Sequence, residues 1–247
     1  MWRLLIMFVI VIAMSSMMHY IIFRSSVFRV KSVQVEGIDQ IEETVILELS
    51  QLNYNDQSFG FRISDIEKAI EKHPYVRVAD VKRKKFNTIN IVVREREEYA
   101  IIPYMGSYVT LDENKFVLKV SDGILESNIC LITGIEFTSF NIGDQAQAEN
   151  IQTLDTAFQV MKAAKEADIL DIISEVNIDV LGQVKIVTFN GVEALLGYIE
   201  NPAYSVLALK EALITLHTRE MSDVIIDMRY EGHITVRHRS GQEAEND

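Results

Sequence analysis

The chain has 247 residues, with 24 Lys and Arg against 36 Asp and Glu and a net charge of −12. That acidity excludes a general nucleic-acid binder, which needs a basic face for phosphate. Three prolines and eleven glycines argue against long disordered linkers, and one cysteine, Cys130, excludes an internal disulfide.

Residues 4–23, LLIMFVIVIAMSSMMHYIIF, carry no formal charge and lie between Arg3 and Arg24. Twenty helical residues span roughly 30 Å, the thickness of a bilayer's hydrocarbon core. Trp2 and Tyr20 stand near the ends, where amphipathic rings favour the interface. A cleaved signal peptide would use residues 4–14, with Ala13 and Ser15 before the cut. Hydrophobicity resumes at Met17, so the reading is an uncleaved single-pass anchor. Arg24, Arg29 and Lys31 on the far flank oppose the positive-inside rule, which weakens when a long domain follows. The expected topology is type II, with residues 1–3 cytoplasmic and the body outside.

Roughly 220 residues remain, enough for one large or two small domains. Residues 25–98 hold 12 basic and 13 acidic residues, and residues 99–239 hold 10 and 20. This shift near residue 98 marks a boundary. Residues 28–35, FRVKSVQV, read as a strand ended by Gly37. Ile41, Val45, Ile46, Leu49 and Leu52 recur at helical spacing, with Asp39 and Glu42 as an N-cap and its partner. Ser64 and Glu67 form a capping-box pattern for a second helix, which His73-Pro74 stops. Residues 76–82 and 88–94 read as strands with Phe86-Asn87 at the turn. The predicted order is β-α-α-β-β.

Those residues resemble a POTRA domain directly after a membrane anchor. VQVEG ends the first strand, HPYV follows the second helix, and VRERE closes the third strand. In that order the marks are similar to the DivIB/FtsQ family of bacterial cell-division proteins.

The second unit begins at Tyr99. Residues 100–104, 108–111, 116–120 and 130–133 read as strands, and residues 146–167 as a helix. Cys130 reads as a core thiol. Residues 172–179, 183–189 and 192–198 are three more strands, broken at Leu181-Gly182 and Asn190-Gly191. Asn201-Pro202 opens another helix, with Val206, Leu209, Leu213 and Leu216 as its apolar stripe. Residues 222–230 and 233–237 form a last hairpin across Glu231-Gly232.

VIIDMRY, residues 224–230, resembles the Asp-Leu-Arg-Tyr/Phe strand near the end of DivIB/FtsQ proteins. VTLD at 109–112 and LITG at 131–134 resemble strands of the same β domain. The resemblance thus runs from the anchor to Arg237. It implies an α+β fold: one transmembrane helix, a POTRA domain at 27–98, and a second α+β domain at 99–239 with a mainly antiparallel sheet. Residues 240–247 look like the family's disordered, acidic end.

Catalytic patterns are missing from the sequence. His233 and His238 sit at an odd spacing on one strand, on opposite faces, and cannot chelate a metal together. His217 and Glu220 have no evident third ligand, and Glu95, Glu97 and Glu98 read as solvated acids at a strand end. No metal, cofactor or enzymatic activity is expected. Lys82, Arg83, Lys84 and Lys85 form the one basic run, read either as a solvated hairpin or as a contact for anionic lipid or cell-wall polymer. The last hairpin is the stronger candidate, because an open sheet edge can accept a partner strand. Ile226, Asp227, Met228, Arg229, Tyr230, Glu231 and His233 are its expected contact residues.

The resemblance implies a non-enzymatic scaffold at the division septum. It would bind the small bitopic coiled-coil proteins FtsL and FtsB/DivIC and connect through them to the septal peptidoglycan synthase. Two other classes stay open: a POTRA-type chaperone or transport component, which would need a barrel or pore, and a membrane-tethered cell-wall enzyme.

Overall fold

The computed structural model describes residues 2–24, 28–123, 128–219, 221–230 and 232–239. Glu220, Glu231 and residues 240–247, on which expectations were placed above, lie outside these. The chain divides into two compact units, Met1–Arg96 and Glu97–Asp247.

The first unit starts with α1 (Trp2–Arg24), a 23-residue helix with no acid in its first turn. Among the described residues it is the one helix long and apolar enough to cross a membrane. A three-stranded sheet follows in the order β1-β3-β2, built from β1 (Ser32–Glu36), β2 (Val76–Lys85) and β3 (Thr88–Glu95). β1 runs parallel to β3, so the chain must cross over, and α2 (Glu43–Ser50) and α3 (Ile63–Ile70) make that crossing. β2 and β3 form an antiparallel hairpin. Alternation along β3 sends Ile89, Ile91 and Val93 into the core, where they meet Ile46, Ile66 and Ile70 from the helices. Gly37 ends β1 at φ +82°, and a Cβ there would come within 2.2 Å of the Val93 carbonyl oxygen. Only glycine allows that approach.

Both helix starts differ from the sequence expectation. Asp39 lies outside α2, and Glu42 at the cap position makes no side-chain bond to the helix backbone. The Glu95 carboxylate of β3 instead accepts from the N–H groups of Asp39 (3.1 Å), Gln40 (2.9 Å) and Ile41 (3.0 Å). Ser64 sits inside α3, whose cap position is Arg62, so the capping box does not form. Glu67 is drawn to the sheet edge, where it accepts from Val81 N–H at 3.0 Å, and Glu71 accepts from Ala79 N–H at 3.2 Å. Glu67 of α3 and Glu71 at its C-cap thereby occupy donors on the outer edge of β2, which would otherwise invite another strand.

The second unit is a nine-stranded sheet with helices packed on it. Its strands are β4 (Ala100–Tyr104), β5 (Ser107–Leu111), β6 (Val117–Ser121), β7 (Cys130–Thr133), β10 (Ile173–Ile178), β11 (Val184–Thr188), β12 (Glu193–Gly197), β13 (Val224–Tyr230) and β14 (His233–His238). The order is β14-β13-β12-β11-β10-β7-β4-β5-β6. Antiparallel pairing dominates, with parallel joins at β4–β7, β7–β10 and β12–β13. A separate ribbon pairs β8 (Phe137–Ser139) with β9 (Gln147–Ala148). That ribbon takes the start of the stretch expected to be helical. α4 begins at Ile151 because Asn150 caps it, its Oδ1 accepting from Gln152 N–H at 3.1 Å.

α4 (Ile151–Glu166) and α5 (Pro202–Thr218) each carry the chain between parallel neighbours. Leu154, Ala157, Met161 and Ala164 of α4 and Val206, Leu209 and Leu216 of α5 are buried in one core with Ile173, Val176, Ile186 and Ile226. Leu213 packs at the core's margin. Asn201 Oδ1 accepts from Tyr204 N–H at 3.2 Å, and Pro202 fits the first turn, where its missing N–H costs nothing. Cys130 is 2 % exposed, and burial pushes its thiol up to about 12. It is a core thiol.

Candidate functional site

β13 is held on both sides only along its first half. Ile225, Ile226 and Asp227 pair with Glu193, Ala194 and Leu195 of β12, and with Arg237, Val236 and Thr235 of β14. The register then slips between Asp227 and Tyr230, which opposes His233. Residues 228 and 229 form the irregular stretch. Such bulges turn side chains away from the regular alternation.

The expected contact residues therefore have different positions. Ile226 is fully buried beneath the sheet and belongs to the core. Met228 is half-buried and packs against that core. The Asp227 carboxylate accepts from the Arg229 Nε at 2.9 Å, the Arg229 terminal nitrogen at 2.6 Å and the Arg229 backbone N–H at 3.2 Å. These bonds hold the Asp227 carboxyl below the usual carboxylate range. Tyr230 is 70 % exposed, and His233 is exposed beside it. Glu231 lies outside the described residues.

Tyr230, Met228, Arg229 and His233 line a cleft of about 500 Å³ with Tyr198, Tyr204 and Ile234. Tyr198 follows β12, and Tyr204 stands in the first turn of α5, placed there by the Asn201 cap. Both are exposed, at 68 % and 64 %. The sequence reading missed these two tyrosines and Ile234. The Asn201-Pro202 helix start was visible, but its spatial approach to the last hairpin was not.

β14 is the outer strand, and all six of its residues are exposed. Arg239 N–H donates to the Asp223 carbonyl at 3.1 Å, which sets the phase of the β13–β14 ladder. Antiparallel pairs alternate between bonded and non-bonded, so Ile234, Val236 and His238 direct their N–H and C=O groups away from β13. This edge differs from that of β2, where Glu67 and Glu71 already fill donors.

A larger hollow, about 850 Å³, lies elsewhere in the second unit beside Tyr99, Lys115, Asp155, Phe158 and Lys165. Its lysines are already engaged: Lys115 with Asp155 and the Phe158 ring, Lys165 with Glu113 and the Tyr99 ring. Among the described residues, no group of three or more His, Cys, Asp and Glu could hold a metal ion.

The four residues of the basic run make different contacts. Lys82 pairs with Asp80, and Lys84 donates to Gln34 Oε1 at 3.4 Å. Arg83 turns inward, donating to the carbonyls of Ser58 (2.6 Å) and Phe61 (2.9 Å) with its guanidinium over the Phe59 and Phe61 rings. Lys85 is exposed at the strand end.

Comparison with known proteins matches residues 28–96 to the POTRA domain, FtsQ-type. The cell division protein DivIB of Clostridium tetani is 24 % identical over 197 residues, covering 77 % of this chain and 74 % of that protein. DivIB of Solibacillus silvestris is 32 % identical over 96 residues, 39 % of this chain and 33 % of that protein. The cell division protein FtsQ of Geotalea daltonii is 30 % identical over 115 residues, 47 % of this chain and 42 % of that protein. The chain thus spans between a third and three quarters of these relatives. Residues 28–96 are thus an FtsQ-type POTRA domain after one apolar helix, and with the mixed α+β unit beyond it the chain is similar to the DivIB and FtsQ bacterial cell-division proteins.

Proposed function

We propose that this protein is a non-enzymatic scaffold of the bacterial divisome. Its last hairpin captures strands of small bitopic coiled-coil division proteins, FtsL-like and FtsB/DivIC-like, and connects them to septal peptidoglycan synthesis. The observation that supports this reading is the outer edge of β14, whose outward backbone groups at Ile234, Val236 and His238 have no partner among the described residues. A strand added there gains main-chain hydrogen bonds, and its side chains can enter the adjoining cleft. Tyr198, Tyr204 and Tyr230 give that cleft exposed aromatic anchors of the type that dominates interface energetics.

In this reading α1 fixes the body at the membrane, residues 1–3 are cytoplasmic, and residues 27–98 and 99–239 work outside it at the septum. The relatives' names, cell division protein DivIB and cell division protein FtsQ, support the process.

The test is co-purification of the full-length protein with FtsL-like and DivIC-like proteins of the same organism. Tyr230→Ala should weaken capture about thirty-fold or more, the scale of one aromatic hot spot. Unchanged capture of both partners by the well-folded variant overturns the site. A C-terminal reporter should be protease-accessible from outside the cell, and a cytoplasmic reporter overturns the orientation.

A further inference from the structure

The first unit carries its own contact surface at the end nearest α1. Four chain steps separate Arg24, the last residue of α1, from Phe28. At roughly 3.3–3.6 Å per residue, Phe28 lies at most about 14 Å from the end of that helix. Backbone bonds then tie the incoming segment to two other loops. Ser58 N–H donates to the Phe28 carbonyl at 2.8 Å, and Val30 N–H donates to the Asp56 carbonyl at 2.8 Å. Lys31 N–H donates to the Asn87 carbonyl at 2.9 Å. The α2–α3 loop and the β2–β3 turn are thereby held at the same end of the sheet as the segment that leaves α1.

Three phenylalanines meet at this end. The Phe28 ring lies 5.8 Å from that of Phe59 and 5.3 Å from that of Phe86. The cluster is not enclosed: Phe59 is 52 % exposed and Phe86 is 61 % exposed. Arg83 braces it from below, stacked on Phe59 and Phe61 and bonded to the loop carbonyls.

Charge at this end departs from the rest of the chain. Residues 28–34, 51–62 and 82–88 contain seven Lys and Arg and one acid, Asp56, within a protein of net charge −12. The Asp56 carboxylate is engaged by Asn53 N–H at 2.8 Å. Lys31, Lys84 and Lys85 are exposed around the aromatic cluster.

We propose that this end of the POTRA unit docks on the bilayer that α1 enters, with Phe59 and Phe86 at the headgroup boundary and Lys31, Lys84 and Lys85 on anionic lipid. An apolar face rimmed by lysine is the composition of interfacial membrane contacts. The lipid surface is the occupant because the covalent tether holds the patch against it. The docking fixes the unit's orientation as well as its distance. This inference rests on membrane insertion of α1 and is independent of partner capture at β14.

The test uses the full chain reconstituted in lipid bilayers, with Trp2→Phe removing the one native indole and Phe86→Trp adding a reporter. In phosphatidylglycerol–phosphatidylcholine bilayers the introduced indole should show blue-shifted emission, quenched by lipids brominated near the headgroup. Quenching should fall several-fold in phosphatidylcholine alone and in Lys31→Glu/Lys84→Glu/Lys85→Glu. Phe59→Trp provides a second reporter should Phe86→Trp fold poorly, and Lys72→Trp, exposed after α3, should stay unquenched. Solvent-like emission from both reporters in both bilayers overturns the proposal. So does charge-dependent sedimentation of the solubilised protein with purified wall polymer when the bilayer reporters stay silent.

Discussion

Asp227 and Arg229 stand two residues apart on β13 and close a two-pronged ion pair at the point where the strand loses its register with β14. The carboxylate also takes the Arg229 backbone N–H, so it braces the irregular stretch that presents Tyr230. Asp227→Ala should keep the fold, since the pair lies outside the buried core, but release residues 228–230. Amide exchange there should quicken, and capture of a DivIC-like partner should weaken by roughly three- to ten-fold, the range of a supporting interface residue. The swap Asp227→Arg/Arg229→Asp should recover much of that loss. No recovery would show that Arg229 serves the partner directly.

Proline scanning should separate the two strands of the hairpin. Ile226 is buried and paired on both sides, so Ile226→Pro should unfold the edge of the sheet and abolish capture for a trivial reason. Val236 is different, because its N–H points outward. Val236→Pro should leave the thermal midpoint within a few degrees of wild type while removing most partner binding. Retention of binding by a folded Val236→Pro protein places the partner elsewhere than on the β14 edge.

Glu95 offers a stability test in the POTRA unit. Its carboxylate receives three consecutive N–H groups ahead of α2, at residues 39, 40 and 41. Hydrogen bonds to a charged acceptor contribute about 1.5–3 kcal/mol each in favourable cases, reduced where the site is exposed. Glu95→Ala should therefore cost about 2–3 kcal/mol in urea unfolding. Glu95→Gln should cost less, because the amide keeps one acceptor. A loss below ~0.5 kcal/mol for Glu95→Ala means that water replaces the carboxylate at no cost.

The same residue shows what was legible in the sequence. Alternation marked β3 and its buried Ile89, Ile91 and Val93, because burial writes a period of two into the chain. The long apolar helix, the β-α-α-β-β order and the Asn201-Pro202 helix start were readable for the same local reason, whereas the Asn150 cap of α4 was passed over. Glu95 read as a solvated acid at a strand end, since its partners lie more than fifty residues earlier. Glu67 likewise matched a local capping box but serves Val81 across the unit. The cleft beside Tyr230 was hidden in the same way. Tyr198 and Tyr204 meet it only because β12 and β13 are parallel neighbours joined by α5, and nothing within a few residues of either tyrosine records that.

His73 supplies a pH test. Burial lowers its pKa from the ordinary value of 6.5, against an opposing pull from Glu95. Tyr75 N–H donates to its Nδ1 at 3.3 Å, a bond that the neutral ring can accept. The unfolded chain therefore binds the proton more readily than the folded one. With the folded pKa below the unfolded pKa, stability is full above about pH 7.5 and is lost as pH falls through 6.5 toward the folded value. His73→Gln should abolish that part of the decline, measured as the change in thermal midpoint between pH 7.5 and 5.5 relative to wild type. Glu95→Ala should leave the onset of the decline in place but deepen it and extend it to lower pH, because removing the carboxylate removes the one interaction that favours the protonated ring and lowers the folded pKa further. An identical pH dependence in wild type and His73→Gln would assign the acid sensitivity to other groups.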